Sequence, residues 1–263
     1  MTDHARSADA LVAERSNAGD VDTITLWRSV GQAELDFVAS SGWRAWPVRL
    51  PDQPVFSAGP DRQRAVRMCR ERTVPAEGMG YVIQFDVLRA FLDRYEAFHD
   101  TRHDELEYRI PASDCAELNA HIIGAIREEA DYRGPLTDAE FTEAEQALGR
   151  PLPQAWRRYL QGESWFRRGW LTSGAYVWLN TPREMLGLHE AWDEATGAHT
   201  GIAIIGGDGS REQLALDLRK DPAPVLLIDI TSAGWETGIP QADDVHQLID
   251  RIESGEFEFS FDE

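Results

Sequence analysis

The sequence predicts an α+β protein built from two domains. Three observations carry that expectation. The chain has 263 residues, more than the roughly 100 to 150 of a common single domain. Short β-type runs alternate with helical stretches over the first half, and a sharply capped helix pair followed by four β-type runs fills the second. The expected division is a flexible tail over residues 1–20, a first domain over 21–133 and a second over 134–263.

Taken in order, the first twenty residues are polar and alanine-rich without apolar periodicity, which predicts a frayed start. A strand is expected over TITLWRSV, then a helix over AELDFVASSG closed by Gly42. A strand over QPVFSAG, a helix over Asp61 to Arg72, a strand over GYVIQFDV, a helix over LRAFLDRY and a strand over ELEYRIP, stopped by Pro111, follow. The run CAELNAHIIGAIREEADYR closes the first domain. The second opens on LTDAEFTEAEQALGRPLPQAWRRYL. Thr137 and Glu140 stand as N-cap and N3 of a capping box, with Leu136 and Phe141 placed for a hydrophobic staple. Phe141, Ala144 and Leu148 share a helix face, Gly149 takes the C′ position, and Pro153 starts a second helix bearing Trp156, Tyr159 and Leu160. Strands are expected over AYVWL, GIAIIG, EQLALDL and PVLLIDI, with a hairpin loop at Gly206 to Ser210 between the second and third. A closing helix places Val245, Leu248, Ile249 and Ile252 on one face.

Composition narrows the function classes. No apolar run reaches the roughly 18 residues of a membrane helix, and the N-terminus lacks the pattern of a signal peptide, so a cytoplasmic protein is expected. Cys69 and Cys115 form no C-x-x-C, which implies neither a disulfide framework nor a zinc knuckle. The net charge is −20, from 46 acidic and 26 basic residues. Such a chain repels phosphate backbones and anionic lipid, so neither nucleic acid nor membrane is expected as a partner. From Gly134 onward, 23 acids face 10 bases, a balance of −13.

The helix-pair residues Leu136, Thr137, Glu140, Ala144, Glu145, Leu148, Gly149, Leu152, Pro153 and Trp156, with Ile205, Gly206 and Asp208 further on, resemble the SMI1/KNR4 (SUKH) family over about 125 residues. The stretch GESWFRRGWLTSG, from Gly162 to Gly174, replaces that family's asparagine-glycine-glycine turn. The resemblance implies protein binding of the immunity type: recognition of a partner protein such as a bacterial toxin, with no catalytic residues in the family pattern. The acidity fits a toxin with a basic surface, and it equally serves solubility. Trp165, Phe166 and Trp170, beside Arg167 and Arg168, are candidates for the partner-binding patch or, equally, for core packing.

In the first half, LWRSVGQAELDFVASSGWRAWP, PVFSAG, YVIQFDV and ELEYRIPASDCAELNAHIIGAI resemble the ADP-ribosyltransferase-like domains labelled ADP-ribosylation/crystallin J1-like. The resemblance implies NAD as cofactor, with Arg28 and Ser57 in its binding and Glu105 and Glu107 as the catalytic pair. The chemistry suits those residue types. Breaking the nicotinamide bond builds positive charge on the ribose, which a carboxylate at Glu107 stabilises, while Glu105 orients or deprotonates the acceptor. Strand alternation places Glu105 and Glu107 on one face. A bland alternative makes Arg28 and Glu107 an interstrand ion pair, Glu105 a solvated edge charge and Ser57 a turn residue.

Two further motifs are set aside. His103-Asp104-Glu105 lacks the P-C-x-x-C partner of zinc deaminases. His99 and His103 are spaced i, i+4 without H-E-x-x-H or an evident third ligand, so no metal is expected. Three functions remain open: immunity-type recognition by the second domain, an NAD-dependent transferase carrying that domain as a targeting or regulatory module, or a catalytically silent transferase-like recognition domain fused to it.

Overall fold

The computed structural model describes residues 21–47, 54–196 (192–196 as backbone), 201–229 and 238–261. The expected tail, residues 1–20, lies outside the described residues. Strands are β1 (Thr23–Val30), β2 (Val55–Ala58), β3 (Met79–Leu88), β4 (Ala97–Asp100), β5 (Glu105–Pro111), β6 (Ile122–Arg133), β7 (Trp165–Trp170), β8 (Tyr176–Leu179), β9 (Ile202–Gly207), β10 (Glu212–Asp217), β11 (Val225–Asp229) and β12 (Ile239–Ala242). Helices are α1 (Gln32–Ser40), α2 (Arg62–Met68), α3 (Val74–Glu77), α4 (Arg89–Leu92), α5 (Cys115–Ala120), α6 (Asp138–Leu148), α7 (Gln154–Leu160), α8 (Pro182–Thr196) and α9 (Val245–Glu253). Nine strands form one sheet in the order β1-β3-β6-β7-β8-β9-β10-β11-β12, and β2-β5-β4 form a second. The protein is therefore α+β, and its larger sheet is antiparallel from β6 through β12. Among the described residues, no helix is long and apolar enough to cross a membrane.

Two compact units emerge, each discontinuous in sequence. Among the described residues, the smaller takes 21–27, 37–47, 54–62 and 84–126; the larger takes Arg28–Asp36, Gln63–Ile83 and those from Arg127 onward. In the smaller unit Trp46, Phe56 and Phe85 meet edge to face, with ring centroids 5.0 to 6.1 Å apart. Ile110 lies opposite Phe56 across β2 and β5, and both are fully buried. Burying each such side chain stabilises the fold by about 1.5 to 3 kcal/mol. The core therefore covers one face of the three-stranded sheet, and the residues between Phe56, Ala58, Tyr108 and Ile110 turn to the other face.

In the larger unit, β9 is buried at every position and β10 and β11 nearly so, which explains why GIAIIG, EQLALDL and PVLLI read as almost unbroken apolar runs. Ile202, Ile204, Ala215 and Ile228 pack on one face together with Leu188 of α8. The opening helix pair forms as its capping signals demand. The Thr137 amide donates to Glu140 Oε2 at 3.0 Å, and Gly149 ends α6 in the left-handed region at φ 64°. Pro153 is the N-cap of α7 rather than its first helical residue.

Several elements lie beyond the sequence expectation. LRAFLDRY makes only the single turn α4, because the chain turns at Asp93 toward β4, a strand the sequence reading did not assign. The helix over Asp61 to Arg72 continues past Arg72 through a π-helical stretch, Cys69–Thr73, into α3. CAELNAHIIGAIREEADYR divides into α5 and the long strand β6. The second half gains β7, α8 and β12 beyond the helix pair, four strands and closing helix that were expected.

Candidate functional site

The face of the β2-β5-β4 sheet opposite Phe56 and Ile110 carries the candidate residues of the smaller unit. Pairing places Ser57 opposite Arg109, Glu107 opposite Phe98, and Glu105 opposite Asp100. Side chains alternate along each strand, so Ser57, Phe98, Asp100, Glu105, Glu107 and Arg109 share one face, away from Phe56 and Ile110. Ser57, Glu105 and Glu107, three of the four residues implicated in NAD chemistry, are thus brought to one sheet face. Ser57 lies within β2 rather than in a turn.

Glu105 and Glu107 are buried at 8% and 9% exposure, so Glu105 is no solvated edge charge. A buried carboxylate requires a compensating donor. For Glu107 that donor is Arg109, whose Nε donates to Glu107 Oε2 at 3.0 Å. The guanidinium is held in turn over the Phe98 ring, 3.7 Å from its centroid. Arg, ring and carboxylate make a braced cluster. Arg28 falls within the larger unit, where Nε and Nη2 donate to the Glu34 carboxylate at 3.3 and 3.2 Å.

At the end of the same hairpin, Asp100, His103 and Glu105 offer ligand atoms that all lie within 4.8 Å of one another. His103 Nδ1 is 3.1 Å from Asp100 Oδ2, and the Arg102 amide donates to Asp100 Oδ1 at 2.9 Å. The Arg102 amide, then the His103 ring, lower the Asp100 pKa below the ordinary carboxylate value. One imidazole and two carboxylates form a donor set able to hold a divalent cation. Of the two histidines spaced i, i+4, only His103 joins the cluster; His99 Nε2 meets Asp104 Oδ1 at 2.7 Å. The signal that would have found the cluster is the hairpin register, which sets Asp100 across from Glu105 with His103 in the intervening turn.

The candidate partner-binding aromatics separate on burial. Trp165 and Phe166 are core residues, 0% and 3% exposed. The Trp165 Nε1–H donates to the Gly134 carbonyl at 2.8 Å, and Phe166 meets Tyr132 edge to face at 5.8 Å. Both faces of β7 are covered, so alternation does not turn either ring to solvent. Trp170, at the end of the strand, is 47% exposed and packs edge to face on Tyr176.

The acidic half also neutralises much of its own positive charge. Arg157 is engaged by Asp138 and Glu145, Arg167 by Glu184, and Arg219 by Asp217. Asp243, Asp250, Glu256 and Glu258 stand exposed around α9 and the segment after it. No family model matches the chain, and no curated protein matches it.

Proposed function

We propose that the protein is an immunity-type binding protein whose second half, resembling the SUKH family, recognises a partner protein such as a basic bacterial toxin in the cytoplasm. The observation that carries this reading is the exposed carboxylates around α9, in a half where Arg157, Arg167 and Arg219 are engaged by internal ion pairs. Unneutralised surface charge speeds encounter with a basic partner and disfavours acidic ones. Of the three candidate aromatics Trp170 is the exposed one, placed to contribute to such a contact.

The test is co-purification of the full chain with each protein encoded beside it, together with growth rescue when that neighbour is expressed as a toxin. Binding and rescue with one neighbour support the reading. A chain that captures none of them and protects against none overturns it.

A second reading, an NAD-dependent ADP-ribosyltransferase, is favoured by a separate observation: Ser57, Glu105 and Glu107 share one sheet face, and both glutamates are buried there. In that reading Glu107, braced by Arg109, stabilises the ribose cation, and Glu105 serves the acceptor. Transfer of label from NAD by wild type, and its loss in Glu107→Gln, supports the enzyme. Absence of transfer and of NAD binding leaves the face as a recognition surface.

A further inference from the structure

A cavity of about 510 Å³ in the larger unit is lined by Arg133, Arg167, Arg168, Asp131, Glu184 and Trp178, among others. Three guanidinium groups and two carboxylates line it, and Glu128 beside it pairs with Arg168 at 3.1 Å, so the charges balance and hydrogen-bonding capacity, not net charge, sets what it can hold. The arginines are fixed in place. Those of Arg167 and Arg168 lie 4.9 and 4.8 Å from the Trp178 ring centroid. Arg133 donates to Asp131 Oδ2 at 2.7 Å, and Arg167 Nη2 donates to Glu184 Oε1 at 2.6 Å.

The polar atoms left over define what the cavity recognises. Arg167 is 6% exposed, yet its Nη1 has no hydrogen-bond acceptor. Arg133 Nη1 has a methionine sulfur, Met79 Sδ at 3.2 Å, a weak acceptor. Asp131 is 1% exposed, and its Oδ1 has no donor. Buried groups of this kind are almost always satisfied, so orphans lining a cavity mark where a polar ligand belongs. The missing partners are acceptors for arginine and one donor for aspartate. A carboxylate supplies only acceptors, as does sulfate at neutral pH. A hydrogen phosphate supplies both, through its anionic oxygens and its P–O–H.

We infer that this cavity is a binding site for phosphate, free or as the head of a small phosphomonoester, with Arg167 and Arg133 taking the anionic oxygens and Asp131 accepting from the protonated one. Volume allows either source, since small-molecule sites span roughly 300 to 1,000 Å³. Glu184, exposed at the rim, competes with the ligand for Arg167.

The experiment is calorimetric titration of the full chain at constant ionic strength with inorganic phosphate, adenosine monophosphate and sulfate. Saturable binding of phosphate or the monoester, with sulfate weaker by about tenfold, is expected. The tighter of the first two identifies the source. Arg167→Gln should weaken binding by about tenfold or more, the loss of one charge-assisted hydrogen bond, and Glu184→Gln should tighten it by freeing the same guanidinium. Should Arg167→Gln fail to fold by circular dichroism, the exposed Glu184→Gln variant decides alone. No saturable binding at millimolar phosphate, sulfate binding equal to phosphate, or affinity unmoved in Glu184→Gln overturns the assignment.

Discussion

Single residues show how burial and partners set chemistry. Cys69 is fully buried, and burial pushes its thiol up to about 12, outweighing the hydrogen bond to Ser29 that pulls the other way. A thiol with that pKa holds almost no thiolate near neutrality. Cys69, and Cys115 at 3% exposure, should therefore resist a thiol-specific chromogenic reagent at pH 8 until denaturant is added. Stoichiometric labelling of the native protein would contradict this. Asp217 behaves oppositely. Its carboxylate is buried, accepts from Arg219 Nε at 2.7 Å and from the Arg219 amide at 3.2 Å, and its pKa is lowered, chiefly by the Arg219 side chain. A depressed folded-state pKa means stability that is present above the unfolded value and lost as pH falls through the folded one. Asp217→Asn should cost about 1 to 3 kcal/mol at neutral pH by urea unfolding. That difference should shrink as pH drops below the ordinary value of 3.8.

At the level of elements, the capping box of α6 is local and testable. Thr137→Ala removes the cap side chain and should lower the free energy of unfolding by about 1 kcal/mol, read as a shift in urea midpoint at unchanged slope. Gly206 poses a different constraint. A Cβ there would collide with the Trp178 carbonyl oxygen, because β8 and β9 close on each other at this position. Gly206→Ala should cost more than about 2 kcal/mol, through backbone displacement rather than lost conformational freedom. The glycine cluster that reads as a hairpin loop is thus partly strand: Gly206 and Gly207 belong to β9, and Asp208 begins the turn, its Oδ1 accepting from the Ser210 amide at 2.7 Å. Helix ends and apolar runs were legible because capping residues and continuous burial act over a few positions. The strand β4 and the helix α8 were not, since AFHD and TPREMLGLHEAWDEAT acquire their roles from neighbours distant in sequence.

For the molecule as a whole, the net charge of −20 is the dominant long-range property. Association with a basic partner, measured by stopped flow, should slow by about tenfold or more between about 50 and 500 mM salt. A rate independent of salt would remove electrostatic steering from the proposed recognition. The sequence by itself determined the α+β class, the capped helix pair, the acidic balance, and the placement of Glu105 and Glu107 on one strand face. Each follows from spacing or composition, which need no partner to be read. Tertiary structure alone decided that Glu107 is braced by Arg109 and Phe98, that Asp100 and His103 meet Glu105, and that Trp165 and Phe166 are core while Trp170 is surface. It alone gathered Arg133, Arg167 and Arg168 around one cavity. Cross-strand register and the covering of both sheet faces join residues far apart in the chain, and no local pattern encodes which of them will meet.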